Sequence, residues 1–185
     1  MTVTLGSAAA AQYPPIGGMQ DGVAVAAAIA RAHDGYMEDI DVTVPLSADA
    51  AHAFSVYVAG RWWPSAWSED PGAFQQLVIQ PRVGGRVLGR YTGGREDDWG
   101  EVLAYDEGRR VQHTFSYAHS SGVPSVVTAE FVDRAEGGSD LHFRHGGWTE
   151  ENAPDRALFA NWVEQLDEFA ETSEFDLRPP QTPPE

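Results

Sequence analysis

The 185-residue chain has no cysteine. That excludes disulfides, thiolate nucleophiles and Cys-ligated zinc or iron–sulfur sites. It has no lysine either, since all 12 basic side chains are arginines, so Schiff-base chemistry and a Walker-A phosphate loop are excluded as well. No stretch approaches the roughly 20 apolar residues of a membrane-spanning helix, and the Ala-rich start has no basic region of the secretory type. A cytoplasmic protein is expected. Positive charge is scarce: 28 acidic residues give a formal charge of −16, which repels nucleic acid and anionic lipid, so neither is expected as a partner. There is no G-x-S-x-G elbow and no H-E-x-x-H, and His142 and His145 sit three apart on a strand, on opposite faces. No metal and no cofactor are expected.

What remains is apolar residues at 42% and a rich set of aromatics, enough for one domain with a core. Residues 1–37 are Ala- and Gly-rich with a short helix expected from Asp21 to His33, residues 38–172 carry the domain, and residues 173–185 form a Pro-rich tail expected to be disordered. The tail's Pro180-Gln181-Thr182-Pro183 fits a minimal P-x-x-P ligand, though solvation is the simpler role. Ile40, Val42 and Val44 alternate with polar residues as a strand stopped by Pro45. Ser47 is the expected cap of a helix running to Val58, with Asp49 in its first turn. About six strand-like runs lie between Phe74 and Gly146, too closely spaced for crossover helices, so the sheet is an antiparallel meander. Asn152 and Pro154 open a last helix with Phe159, Trp162, Val163, Leu166 and Phe169 on one face.

This order of elements is joined by a set of short fragments: Val44-Pro45-Leu46-Ser47-Ala48, Trp62-Trp63-Pro64, Pro81 to Arg86, Trp99-Gly100-Glu101-Val102-Leu103, Arg109 to Phe115, Ser125 to Phe131, Leu141 to Trp148, and Trp162 to Leu166. From about Ile40 to Ala170 the chain resembles the START-like (SRPBCC) superfamily, in the subgroup named for the C-terminal domain of the heat-shock-protein ATPase activator. The resemblance implies an α+β helix-grip fold: a curved antiparallel sheet wrapped around a long C-terminal helix, with two short helices after the first strand. It also implies one internal cavity, and it does not choose among lipid carriers, cyclases and co-chaperones built on that fold.

If the strands alternate, Val87, Tyr91, Val111, His113, Phe115, Tyr117, Val127, Ala129, Phe131, Leu141, Phe143 and His145 face the last helix. With Trp63, Trp67, Trp148, Phe159 and Trp162 they are expected to line a pocket for a small apolar or aromatic ligand. Binding without turnover is the leading expectation. An enzyme of the cyclase, aromatase or hydrolase kind, using His113, His145 or Glu101 as acid and base, is the second. A co-chaperone-like activator of a heat-shock ATPase is the third, and a homodimer stays open as a further assembly.

Overall fold

The structure, a computed structural model, describes residues 37–176, with side chains through Glu174. The expected helix Asp21–His33 and the Pro-rich tail from residue 177 on lie outside the described residues. Among the described residues, no helix is long and apolar enough to cross a membrane.

The alternating segment forms β1 (Ile40–Leu46), with Val44 and Leu46 buried. It runs through Pro45 instead of stopping there, because β1 is an outer strand of the sheet, where a missing backbone N–H costs no ladder bond. The first helix, α1, spans Ala50–Ala59. Its cap is Asp49, not Ser47: Asp49 has extended dihedrals and its carboxylate accepts the His52 N–H at 2.8 Å. Ser47 instead donates its hydroxyl to Glu174 at 2.6 Å. Gly60, at φ 68°, turns the chain out of the helix. Trp62 and Trp63 then bury their rings before a single 3-10 turn, Ser65–Trp67.

The meander follows as β2 (Phe74–Ile79), β3 (Arg86–Tyr91), β4 (Glu96–Asp106), β5 (Arg110–Phe115), β6 (Ser125–Asp133) and β7 (Ser139–Gly146). With β1 they form one seven-stranded sheet ordered β1-β7-β6-β5-β4-β3-β2, and every neighbouring pair is antiparallel. On β5, β6 and β7 the period is two: Val111, His113 and Phe115, then Val127, Ala129 and Phe131, then Leu141, Phe143 and His145, are all buried. This is the face anticipated from alternation. On β4 alternation fails. Opposite β3 the register slips between Leu88–Asp98 and Val87–Gly100, and opposite β5 it slips between Val102–His113 and Ala104–Gln112. The first of these bulges lets Trp99 and Val102, three apart, both point inward, while Glu101 between them is exposed. Gly100 makes this possible, because a Cβ there would overlap the Thr114 carbonyl.

The end of the domain is not one helix. A 3-10 helix, Ala153–Phe159, precedes α2 (Trp162–Asp176), which extends four residues past the expected boundary at Thr172. Side chains outside the helix hold the first piece in place: Asn152 accepts from the Thr149 N–H at 2.7 Å and donates to the carbonyls of Pro124 and Gly147 at 3.3 and 3.2 Å. Phe159, Trp162, Leu166 and Phe169 are buried, whereas Val163 is 54% exposed and leaves the predicted face. α2 packs along β1 and against α1, and α1 packs on β2, β6 and β7, so the sheet's inner face and the two helices enclose the core. The architecture is the α+β helix-grip fold.

Candidate functional site

Trp63 stands at the centre of a ring cluster beneath the turn Ser65–Trp67. Its ring centroid lies 5.8 Å from Trp67, 5.6 Å from Trp99, 5.9 Å from Phe115, 6.5 Å from Tyr117 and 5.9 Å from Trp162. Phe143 adds a face to Trp162 at 4.5 Å. The indole N–H of Trp63 is buried and has no hydrogen-bond partner. A buried donor without an acceptor costs roughly 1–3 kcal/mol, so native proteins leave few of them.

Beside this cluster runs a chain of polar atoms. Trp162 donates its indole N–H to His145 Nδ1 at 2.8 Å. Because tryptophan only donates, the His145 proton must sit on Nε2, which is 2.6 Å from the Ser125 hydroxyl. Ser125 can then pass its own proton to the Phe115 carbonyl at 3.0 Å or toward His119 Nε2 at 3.2 Å. His119 Nδ1 faces the Val123 carbonyl at 2.8 Å and must carry a proton to bond it. The side chain of His119 has no exposed surface. Trp148 covers the same corner, with its ring 4.6 Å from His145 and its N–H given to the His145 carbonyl at 3.1 Å. Phe159 closes it 4.6 Å from His145.

Burial sets the electrostatics. His145 is fully buried, and loss of solvation pulls its pKa down to about 3, with His119, His113 and Arg156 nearby adding to the effect. His113 is pulled down to about 4 by burial, against a smaller opposing effect of its bond to the Thr114 carbonyl. Both are therefore neutral at neutral pH. For Asp155 burial pushes upward, but the amides and hydroxyls of Ser120 and Ser121 outweigh it and hold the carboxyl at about 2.

Ser125, His119 and Asp155 are the residue types of a nucleophilic triad, but the geometry is not that of one. Asp155 stands 3.8 Å from His119 Nδ1, whose proton goes to Val123, so the bond that orients a triad histidine is not made. Ser125 is fully buried in the β6 ladder. His113 and His145 do not share a point either: Val127 lies between them in register, which puts them two strands, about 10 Å, apart. Glu101 is on the solvent side of β4.

The predicted ligand residues divide. Trp63, Trp67, Phe115, Tyr117, Phe143, His145, Trp148, Phe159 and Trp162 belong to the cluster. Phe131 packs at the other end with Phe54, Tyr57 and Phe169. His113 reaches only the margin, 6.0 Å from Phe115. Val87 is buried, and Tyr91 pairs with Phe74 and carries the Arg95 guanidinium over its ring. Ring contacts run through the space between sheet and α2 where an enclosed hollow was expected. Two clefts of about 430 and 450 Å³ both open to solvent. The first lies directly over the cluster, walled by Glu69, Arg95, Asp97, Trp99, Tyr117 and His119. The second lies between α1 and the β4–β5 turn.

Sequence reasoning missed Trp99, Ser125, His119 and Asp155. Trp99 was hidden by the first β4 bulge. The other three come together only through chain folding, with Ser120 and its partner Asp155 separated by 35 positions in the chain, and no local pattern marks them.

A curled antiparallel sheet holding a C-terminal helix over an aromatic interior defines a START-like domain. The family described as Activator of Hsp90 ATPase homolog 1-like protein matches residues 53–174, well over half of the chain, and the chain belongs to that family. No curated protein matches it in sequence. Among solved structures it is similar to a protein from Mesorhizobium loti, at 18% identity over 77% of this chain and 100% of that one, with a TM-score of 0.54. It is also similar to the Aha1 dimer from Colwellia psychrerythraea, at 16% identity over 77% and 100% of the two chains and a TM-score of 0.54. A protein from Nitrosomonas europaea aligns at 11% identity over 75% and 95%, with a TM-score of 0.55. At these identities the likeness shows the fold. Fold and family together suggest a ligand-binding or co-chaperone-like domain.

Proposed function

We propose that the domain binds a small aromatic molecule carrying a hydrogen-bond acceptor, seated against Trp63 beneath the cleft over the cluster. The observation that carries this reading is the unpaired indole N–H of Trp63, a buried donor inside a box of five aromatic rings. A carbonyl or ether oxygen on a flat ligand would satisfy it, and the surrounding rings would supply apolar contact at little cost in side-chain entropy. The ligand would enter by displacing the Tyr117 side of the cleft, since the cluster is closed as it stands. The two histidines, neutral and two strands apart, favour binding over acid–base turnover. Among the described residues the large exposed apolar side chains, Met37, Val83, Leu103, Val132, Leu158 and Val163, are few and fall on separate elements.

The test uses two naphthalene dyes. Prodan is neutral, aromatic and bears a carbonyl; 2-(dimethylamino)naphthalene is its counterpart without one. Trp63→Phe removes the N–H and keeps an aromatic ring. It should weaken prodan binding about tenfold and leave the carbonyl-free dye within about twofold, as expected for loss of one buried hydrogen bond. If neither dye binds the parent protein, or Trp63→Phe affects both alike, the reading fails.

A further inference from the structure

We infer that residues 116–124 form a hinged flap, that Asp155 is the anchor holding it down, and that its release uncovers the Trp63 indole. The inference rests on the binding reading above and supplies the way in.

The segment leaves the sheet after Phe115 and returns at Ser125, and these two residues are ladder partners, so the excursion is closed at its base. At the start, the Ser116 amide and hydroxyl both donate to the Trp99 carbonyl, at 2.8 and 3.2 Å, which fixes the near end to β4. At the middle, the His119 ring lies 6.1 Å from Trp148, nearly parallel to it, and binds back to Val123 within the same segment. The far end is tied outward most densely where Asp155, on the 3-10 helix Ala153–Phe159, takes the Ser120 amide and hydroxyl at 3.0 and 2.6 Å and those of Ser121 at 3.5 and 3.0 Å, with single further bonds from Asn152 to the Pro124 carbonyl at 3.3 Å and between Ser125 and His119 Nε2 at 3.2 Å. One carboxylate thus gathers four donors from two successive residues of the segment.

The closed position imposes a backbone strain. Ala118 has φ 62°, the one positive-φ residue other than glycine among the described residues. An L-residue with a Cβ occupies that region at a cost, so the segment is held in a conformation it would leave if untied. Ala118 sits between the two residues that matter for access. Tyr117, before it, lies 4.2 Å from Trp99 and faces both Trp63 and the cleft. His119, after it, closes the polar chain from Trp162. Lifting the segment about its base carries Tyr117 off Trp99 and opens the path from the cleft to the unpaired indole. Local opening of this kind is the ordinary behaviour of a segment with few ladder bonds.

Hydrogen exchange of the tryptophan indoles, followed by NMR, reads this motion without any ligand. Asp155→Ala should speed exchange of the Trp63 indole by about tenfold or more. The indoles of Trp62, Trp148 and Trp162, bonded to Tyr57, His145 and His145 respectively, should change by less than about twofold. Should Asp155→Ala not fold, the Ser120→Ala/Ser121→Ala double variant leaves the carboxylate and two amide bonds in place, and about threefold faster exchange at Trp63 is expected. No acceleration at Trp63, or equal acceleration at all four indoles, overturns the flap. Faster Trp63 exchange in a protein that binds no prodan supports the flap and removes the binding reading, so the two ideas fail separately.

Discussion

The two ends of the interior are built from the same residue types and treat them differently. Around Phe131, the rings of Phe54, Tyr57, Trp62 and Phe169 pack edge to face or stacked, with centroids 5.0 to 6.1 Å apart. There the Trp62 indole donates to the Tyr57 carbonyl at 2.9 Å. Its sequence neighbour Trp63, whose ring is 5.9 Å away, turns to the other end and has no acceptor at all. That end also holds the buried His145 and Ser125, the charged Asp155 and the strained Ala118. At one end the indole is paired. The other carries an unmet hydrogen-bonding need and polar groups whose burial costs stability, which is where a binding site is expected to show.

The largest test of the contrast is a pair of truncations. Phe131→Ala should cost about 3–5 kcal/mol in urea unfolding, because a fully packed ring leaves a cavity. Trp63→Phe should cost under about 1 kcal/mol, since the lost contact area is offset by removing a buried donor that pays its desolvation with no return. Equal costs would show that the two ends are built alike.

Next in size is Trp162→Phe. It keeps a ring against Phe143 but takes away the indole donor given to His145 Nδ1, so an unfolding loss of about 2–3 kcal/mol is expected. Nitrogen NMR of His145 should then show Nδ1 and Nε2 sharing the proton. An unchanged spectrum would mean that Trp162 does not set the tautomer.

Acid should act on the cluster end and its margin before the rest. His113 and His145 have folded-state pKa values of about 4 and about 3, below the ordinary 6.5. Below pH 6.5 the unfolded chain takes up protons that the folded chain refuses, so stability falls as pH drops and keeps falling until the folded pKa values are reached. Two such groups should remove about 2 kcal/mol between pH 6 and pH 5. Asp155, held at about 2, keeps its stabilising contribution until the pH falls below the ordinary 3.8, outside this window. A His145→Phe/His113→Phe double variant should flatten the profile over that interval; a slope that persists would place the titration elsewhere.

How far the sequence revealed this division depends on the range of the forces involved. Alternation on β5, β6 and β7 placed His113, Phe115, Phe131, Phe143 and His145 inward, because a strand's period is local and one buried face enforces it. Alternation does not extend to β4, where the bulge opposite Val87–Leu88 resets the phase, bringing Trp99 in and leaving Glu101 out. The start of α1 was misread by two residues because Ser47 and Asp49 both have capping side chains, and only the position of Glu174, far along the chain, shows that Ser47 is occupied elsewhere. The polar chain was out of reach for the same reason: Ser125, His119 and Asp155 are each ordinary in their local context and acquire meaning only through contacts between β6, the 116–124 segment and the 3-10 helix.

The smallest effect comes from the backbone at Ala118. Glycine adopts a φ of 62° without the clash that a Cβ brings, so Ala118→Gly relieves strain in the folded state while adding freedom to the unfolded chain. The first term exceeds the second at a left-handed position, and a net gain of about 0.5–1 kcal/mol is expected in urea unfolding. Alanine at the solid end offers the control. Ala53 lies inside α1, fully buried and helical, and Ala53→Gly there should lose about 1 kcal/mol or more, with no strain to repay it. Opposite signs for the same chemical change at the two ends would show that the cluster end stores strain and the solid end does not. A loss at both would place Ala118 at ease in the closed segment and deprive the flap of its drive to open.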